Sequence, residues 1–200
     1  MFETLLWVGF VAAVPVLNVG YNQVTLFVAV KGFGYQYRKR DMFWFYAAFL
    51  VPVAAAVALV SSVRVPVQFR PAVAIAFPVG VTLYHFDNRV WAWWADASLS
   101  PPGMSVVSVL PALFLPVAEE FLYRGLLGAS LLEYGVVPYV TVSAVLFGLN
   151  HYYLGRKEIA FKTWDGVVYC VLFLWGGFLA PVAAHVGYNA AQVRFVTAGA

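Results

Sequence analysis

Residues 105–134 read SVVSVLPALFLPVAEEFLYRGLLGASLLEY, and the middle of this stretch decides the fold. It is apolar and long enough for a membrane span, yet Glu119, Glu120 and Arg124 stand inside it. An ionisable side chain at the bilayer centre costs about 2.5–3.5 kcal/mol or more. Two later apolar stretches are interrupted in the same way, by Phe147-Gly148-Leu149-Asn150-His151 and by His185-Val186-Gly187-Tyr188-Asn189. Chains rarely carry two glutamates, an arginine and two histidines in such segments unless they meet and act together. The three patches point to an active site within the membrane.

The chain around them is membrane material. Of its 200 residues, 63% are hydrophobic and 10% charged, with a mean hydropathy of +0.82. Soluble domains average about 45–50% apolar and 25% charged. The expected fold is all-α: a polytopic transmembrane protein of about seven spans (six to eight), with the catalytic motifs on the C-terminal helices. The apolar segments are 4–30, 42–61, 71–84, 105–134, 136–154, 166–179 and 181–196. They read as one integral membrane domain over 1–200, with N-terminal spans in 1–104 and a motif-bearing core in 105–200. Met1-Phe2-Glu3 shows no basic n-region and no clear cleavage site, so no signal peptide is expected.

Between the spans, His85-Phe86-Asp87-Asn88-Arg89 reads as an interfacial polar cluster, and Arg156–Asp165 as a charged loop. Trp91, Trp93 and Trp94 suit the headgroup level. A net charge of +3 and a pI near 9.0 do not indicate nucleic acid, because most basic residues lie in these short loops. The Lys/Arg bias of 31–41, 85–104 and 155–165 predicts an outside N-terminus and a cytoplasmic C-terminus. Asn18, Asn22 and Gln23 read as helix-packing groups, and Cys170 as a small buried hydrophobe with no disulfide partner.

Helical spacing assigns roles within the patches. Side chains four apart share a face, so Glu120 pairs with Arg124, which makes its burial tolerable. Glu119 then has no intrahelical partner and is available for chemistry. Pro116, three residues earlier, begins or kinks this helix. His185 and Asn189 share a face that Gln192 extends, while Ala180, Ala183, Ala184, Gly187, Ala190 and Ala191 offer a small-residue face for close packing. Phe147 walls the site while His151 points in. A carboxylate can serve as general base on water, with imidazoles and an amide holding substrate or an oxyanion. Two His and one Glu are equally a ligand set for a catalytic zinc, here Glu119, His151 and His185. Sequence leaves both readings open. Taken singly, each patch also has a bland reading: a helix staple, an interfacial histidine, an interhelical hydrogen bond.

In this order, EEFLYR at 119–124, FGLNH at 147–151 and HVGYN at 185–189 resemble the CPBP family of intramembrane proteases. That family includes CAAX prenyl endopeptidases and proteins linked to bacteriocin processing or self-immunity. The resemblance covers roughly the last 90 residues and implies helices converging on a membrane-open cavity where a peptide bond is hydrolysed. It implies that Glu119 activates water, that His151 assists, and that His185 and Asn189 stabilise the oxyanion or position the water. Glu120, Arg124 and Phe147 would brace the site. The family is often labelled as metalloproteases, whereas its prenyl-protease members look glutamate-dependent.

The partners expected are membrane lipid and a peptide or lipid-modified protein in the cell membrane, with no nucleic acid. Two rival readings compete with the protease. One is a non-catalytic immunity or scaffold protein of the same family, which would tolerate Glu119→Gln. The other is a small ion-coupled transporter, which would show flux in proteoliposomes.

Overall fold

A computed structural model describes residues 2–36, 41–65, 67–95, 109–152 and 156–197. They form helices α1 (Phe2–Phe33), α2 (Met42–Val60), α3 (Pro71–Ala95), α4 (Val109–Glu120), α5 (Leu127–Leu131), α6 (Val136–Asn150), α7 (Arg156–Gly176) and α8 (Leu179–Thr197). A π-helical turn, Phe121–Leu126, joins α4 to α5, so these two are one continuous rod. The described residues contain no strand, and the protein is an all-α membrane protein, as its composition requires. Among the described residues, three helices are long and apolar enough to cross a membrane: Phe2–Phe33, Phe43–Val60 and Arg156–Gly176. Val136–Asn150 is apolar but shorter.

Several boundaries differ from the sequence expectation. Helix α3 does not stop near residue 84 but runs through the polar cluster to Ala95. Its exposed side carries His85 and Arg89, while Asp87 turns inward. The stretch 156–165 is no loop either; it is the first half of α7, with Lys162 and Asp165 buried. Both stretches are polar enough to read as loops, because hydropathy cannot see that their charges neutralise one another: Lys162 Nζ lies 2.6 Å from Asp165 Oδ2 and 3.9 Å from Asp87 Oδ2. Lys162 therefore drops out of the loop charge used to assign orientation. Arg38, Lys39 and Arg40, on which that assignment also rests, lie outside the described residues, as do residues 96–104 of the expected interfacial segment.

The break before α8 falls at Gly177, not at Pro181. Gly177 has φ +72, a left-handed conformation that ends α7. Pro181 sits in the first turn of α8, where its missing N–H costs nothing.

Small residues set how closely the rods approach. A Cβ added at Gly80 of α3 would run into the Ala184 carbonyl of α8, and one at Gly187 of α8 into the Phe77 carbonyl of α3. The small face read from the sequence of α8 is this contact, with Ala180, Ala184 and Ala191 all buried. A Cβ at Gly148 of α6 would likewise run into α7, at the Thr163 hydroxyl and the Ile159 carbonyl. On α1, Asn22 donates to buried Asn18 at 2.7 Å within the helix.

Candidate active site

The α4 rod, α6 and α8 bring the three polar patches to one place. Glu119, Glu120, Arg124, His151 and His185 are all buried. Buried charges are tolerable only when paired, and the pairing is visible here. Arg124 Nε lies 3.2 Å from Glu120 Oε2, the intrahelical pair expected from spacing. Its guanidinium also donates to the Gly166 carbonyl of α7 at 3.1 Å and lies 4.3 Å from the centre of the Phe147 ring. Phe147 is thus less a wall than a hub, packed edge-on against His151 and His185 as well.

His185 bridges both glutamates. Its Nδ1 is 2.9 Å from Glu120 Oε1, and its Nε2 is 3.4 Å from Glu119 Oε2. Glu120 faces the Arg124 guanidinium, which only donates, so Glu120 accepts and Nδ1 donates. Nε2 then faces a second carboxylate, an arrangement that is repulsive unless the His185–Glu119 pair shares a proton. With that proton the buried set is neutral: Glu120 against Arg124, and Glu119 against His185. Tyr169 of α7 stacks on the imidazole at 5.1 Å and fixes its plane.

His151 ends α6. Its Nδ1 lies 2.9 Å from the Phe147 carbonyl and so donates, which turns Nε2 toward Glu119 Oε1 at 3.9 Å. Glu119 thus presents one oxygen to each histidine.

Two residues at the site were not singled out by sequence reasoning. The Tyr46 hydroxyl of α2 donates to Glu119 Oε1 at 2.5 Å. Asn150 donates in turn to that hydroxyl and lies 3.5 Å from the same carboxylate oxygen. Signals for both existed: Tyr46 is the one phenol in an otherwise apolar span, and Asn150 stands inside the second motif.

Asn189 is on the expected face, one turn from His185. Its amide nitrogen, however, donates to the Ala112 carbonyl of α4 at 2.8 Å. Among the described residues no group of three or more His, Cys, Asp and Glu side chains is arranged to hold a metal ion. The two imidazoles address different oxygens of Glu119.

No curated protein and no solved structure matches the chain. Residues 101–191 match the family model for Rce1-like proteins, described as type II CAAX prenyl endopeptidase Rce1-like. All three polar patches fall inside the matched segment, whereas Tyr46 falls outside it. The motif-bearing segment is thus similar to the Rce1-like family of type II CAAX prenyl endopeptidases.

Proposed function

We propose that this protein is an intramembrane endopeptidase that hydrolyses a peptide bond in a membrane-adjacent or lipid-modified protein, prenylated CAAX ends included, using water activated by Glu119. The observation that carries this reading is the placement of Glu119: buried, held by Tyr46, and offered to two histidines on two sides. We place it in the cell membrane as a multi-pass protein, with membrane lipid and the peptide substrate as its partners.

The chemistry follows from the donors and acceptors. His151 Nε2 and Glu119 Oε1 are both acceptors across 3.9 Å, and a water giving one hydrogen to each satisfies both. Glu119 takes a proton as the water oxygen attacks the scissile carbonyl carbon, and the carbonyl π electrons move onto oxygen. His185 Nε2–H supports the resulting oxyanion. The C–N bond then breaks, and Glu119 returns its proton to the leaving amine. Glu120 and Arg124 hold His185 and take no proton.

The test is cleavage of farnesylated CAAX peptides and plain membrane-anchored peptides by detergent-purified protein, with Glu119→Ala and His185→Ala alongside and a chelator arm. Activity lost in both variants and kept with chelator supports the mechanism. Activity lost with chelator and restored by zinc would reassign Glu119, His151 and His185 as ligands. A Glu119→Ala protein as active as wild type would sink the reading.

A further inference from the structure

Pro116 lies inside α4, and its missing N–H bears directly on Ala112, four residues back. In a regular helix that N–H would bond the Ala112 carbonyl. The carbonyl is deprived of its usual partner in a part of the chain where water is scarce, and an orphaned backbone oxygen there is costly. Asn189 of α8 donates its amide to that oxygen at 2.8 Å. From this we infer that Asn189 is a positioning residue: it caps the carbonyl that Pro116 frees and so fixes the register of α8 on the glutamate helix. The inference rests on the protease reading for its effect on catalysis.

Three further observations support it. First, Ala112, Leu115 and Glu119 are all buried and spaced as one face of α4, so the capped carbonyl and the catalytic carboxylate lie on the same stripe. Second, α8 is tied to this rod at two points: His185 at Glu119 and Glu120, and Asn189 at Ala112. Moving forward along α8 means moving back along α4, so the two ties pin an antiparallel pair against sliding. Third, the same device recurs on the other side of the glutamates. The Leu127 N–H bonds Leu122 and Arg124 across the π-turn and passes over Tyr123, whose carbonyl receives the Ser143 hydroxyl of α6. Each irregularity flanking the glutamate pair is thus answered by a polar side chain from another helix.

The inference separates from an oxyanion role for Asn189 through Pro116. Replacing Pro116 by alanine returns the N–H to the helix and gives Ala112 an internal partner, after which the Asn189 amide is redundant. The experiment is a double-mutant cycle of Asn189→Ala and Pro116→Ala, read as kcat and KM on a farnesylated CAAX peptide. Asn189→Ala alone is expected to lower kcat by about tenfold or more with little change in KM, and in the Pro116→Ala background by about twofold or less. An equal fold-loss in both backgrounds would overturn the inference, because an oxyanion donor is needed whatever Pro116 is. Should Pro116→Ala fail to fold, Pro116→Leu restores the same N–H with a larger apolar side chain. The same cycle read as thermal unfolding needs no turnover. There, Asn189→Ala should lower the midpoint in the wild-type background and not in the Pro116→Ala background. A wild type that cleaves nothing yet shows this coupling would defeat the protease reading and leave the cap standing.

Discussion

Tyr46 and Glu119 are 73 positions apart in sequence, and the phenol donates to the carboxylate at 2.5 Å. The bond joins α2, outside the segment that matches the family, to a glutamate inside it. The candidate site is therefore not the property of the C-terminal helices alone. Asn150 donates to the phenol oxygen and lies 3.5 Å from the same carboxylate oxygen, so the phenol gives its hydrogen to Glu119 Oε1.

Tyr46→Phe removes the hydroxyl and keeps the ring. Hydrogen bonds to charged groups are worth about 1.5–3 kcal/mol, so kcat is expected to fall about ten- to a hundredfold. KM should change little, because the phenol touches Glu119 and not the substrate. Steady-state kinetics on a cleaved peptide measures both, and a kcat within twofold of wild type would remove Tyr46 from the site.

The three motifs were legible because charge in an apolar run is conspicuous and the i,i+4 geometry of Glu120 and Arg124 is local. What the sequence hid was non-local. Tyr46 looked like an ordinary aromatic in a clean span, since nothing nearby reveals that its partner is 73 positions away. Asp87 and Lys162 looked like loop residues because each is expensive in a helix core when considered alone. Asn189 read as the amide of the site, and its contact with the Ala112 carbonyl, 77 positions away, is invisible in the sequence.

Glu119 and Glu120 are adjacent and should behave oppositely. Glu119→Gln keeps the shape and the Tyr46 contact but removes the base, so activity should be lost with the unfolding midpoint nearly unchanged. Arg124→Ala leaves Glu120 ionised with its guanidinium partner gone, and breaking such a buried pair costs about 3–5 kcal/mol. Thermal unfolding in detergent is the readout. Equal midpoint losses for the two variants would mean that Glu120 and Arg124 do not form the structural pair.

The second buried cluster makes a separate prediction. Lys162 meets Asp165 at 2.6 Å and lies 3.8 Å from the centre of the Tyr188 ring, while Tyr188 donates to Asp87 at 3.0 Å. These contacts tie α3, α7 and α8 together around one cation. Lys162→Met keeps the stem and removes the charge, leaving two buried aspartates facing each other. Destabilisation is expected to exceed that of Asp165→Asn, which leaves the cation beside Asp87. Folded yield and the unfolding midpoint decide it, and the reverse order would show that Lys162 is not what holds the cluster.

Gly80 brings no functional group to the site, yet its substitution should damage catalysis. The Cβ of Gly80→Ala has nowhere to go but into the backbone carbonyl of Ala184, the residue before His185. Backbone cannot swing aside as a flexible side chain can, so α8 must move, at a cost of about 1–3 kcal/mol for such overpacking. His185 moves with it, away from contacts of 2.9 Å and 3.4 Å to two carboxylates. A displacement of about 1 Å in reacting groups can cost roughly a hundredfold in rate, so kcat should fall by much more than the loss of folded protein explains. Gly20→Ala is the control, because a Cβ there meets nothing within 4 Å. If the Gly80 variant, normalised to folded protein, turned over as fast as this control, the α3–α8 contact would not be what places His185.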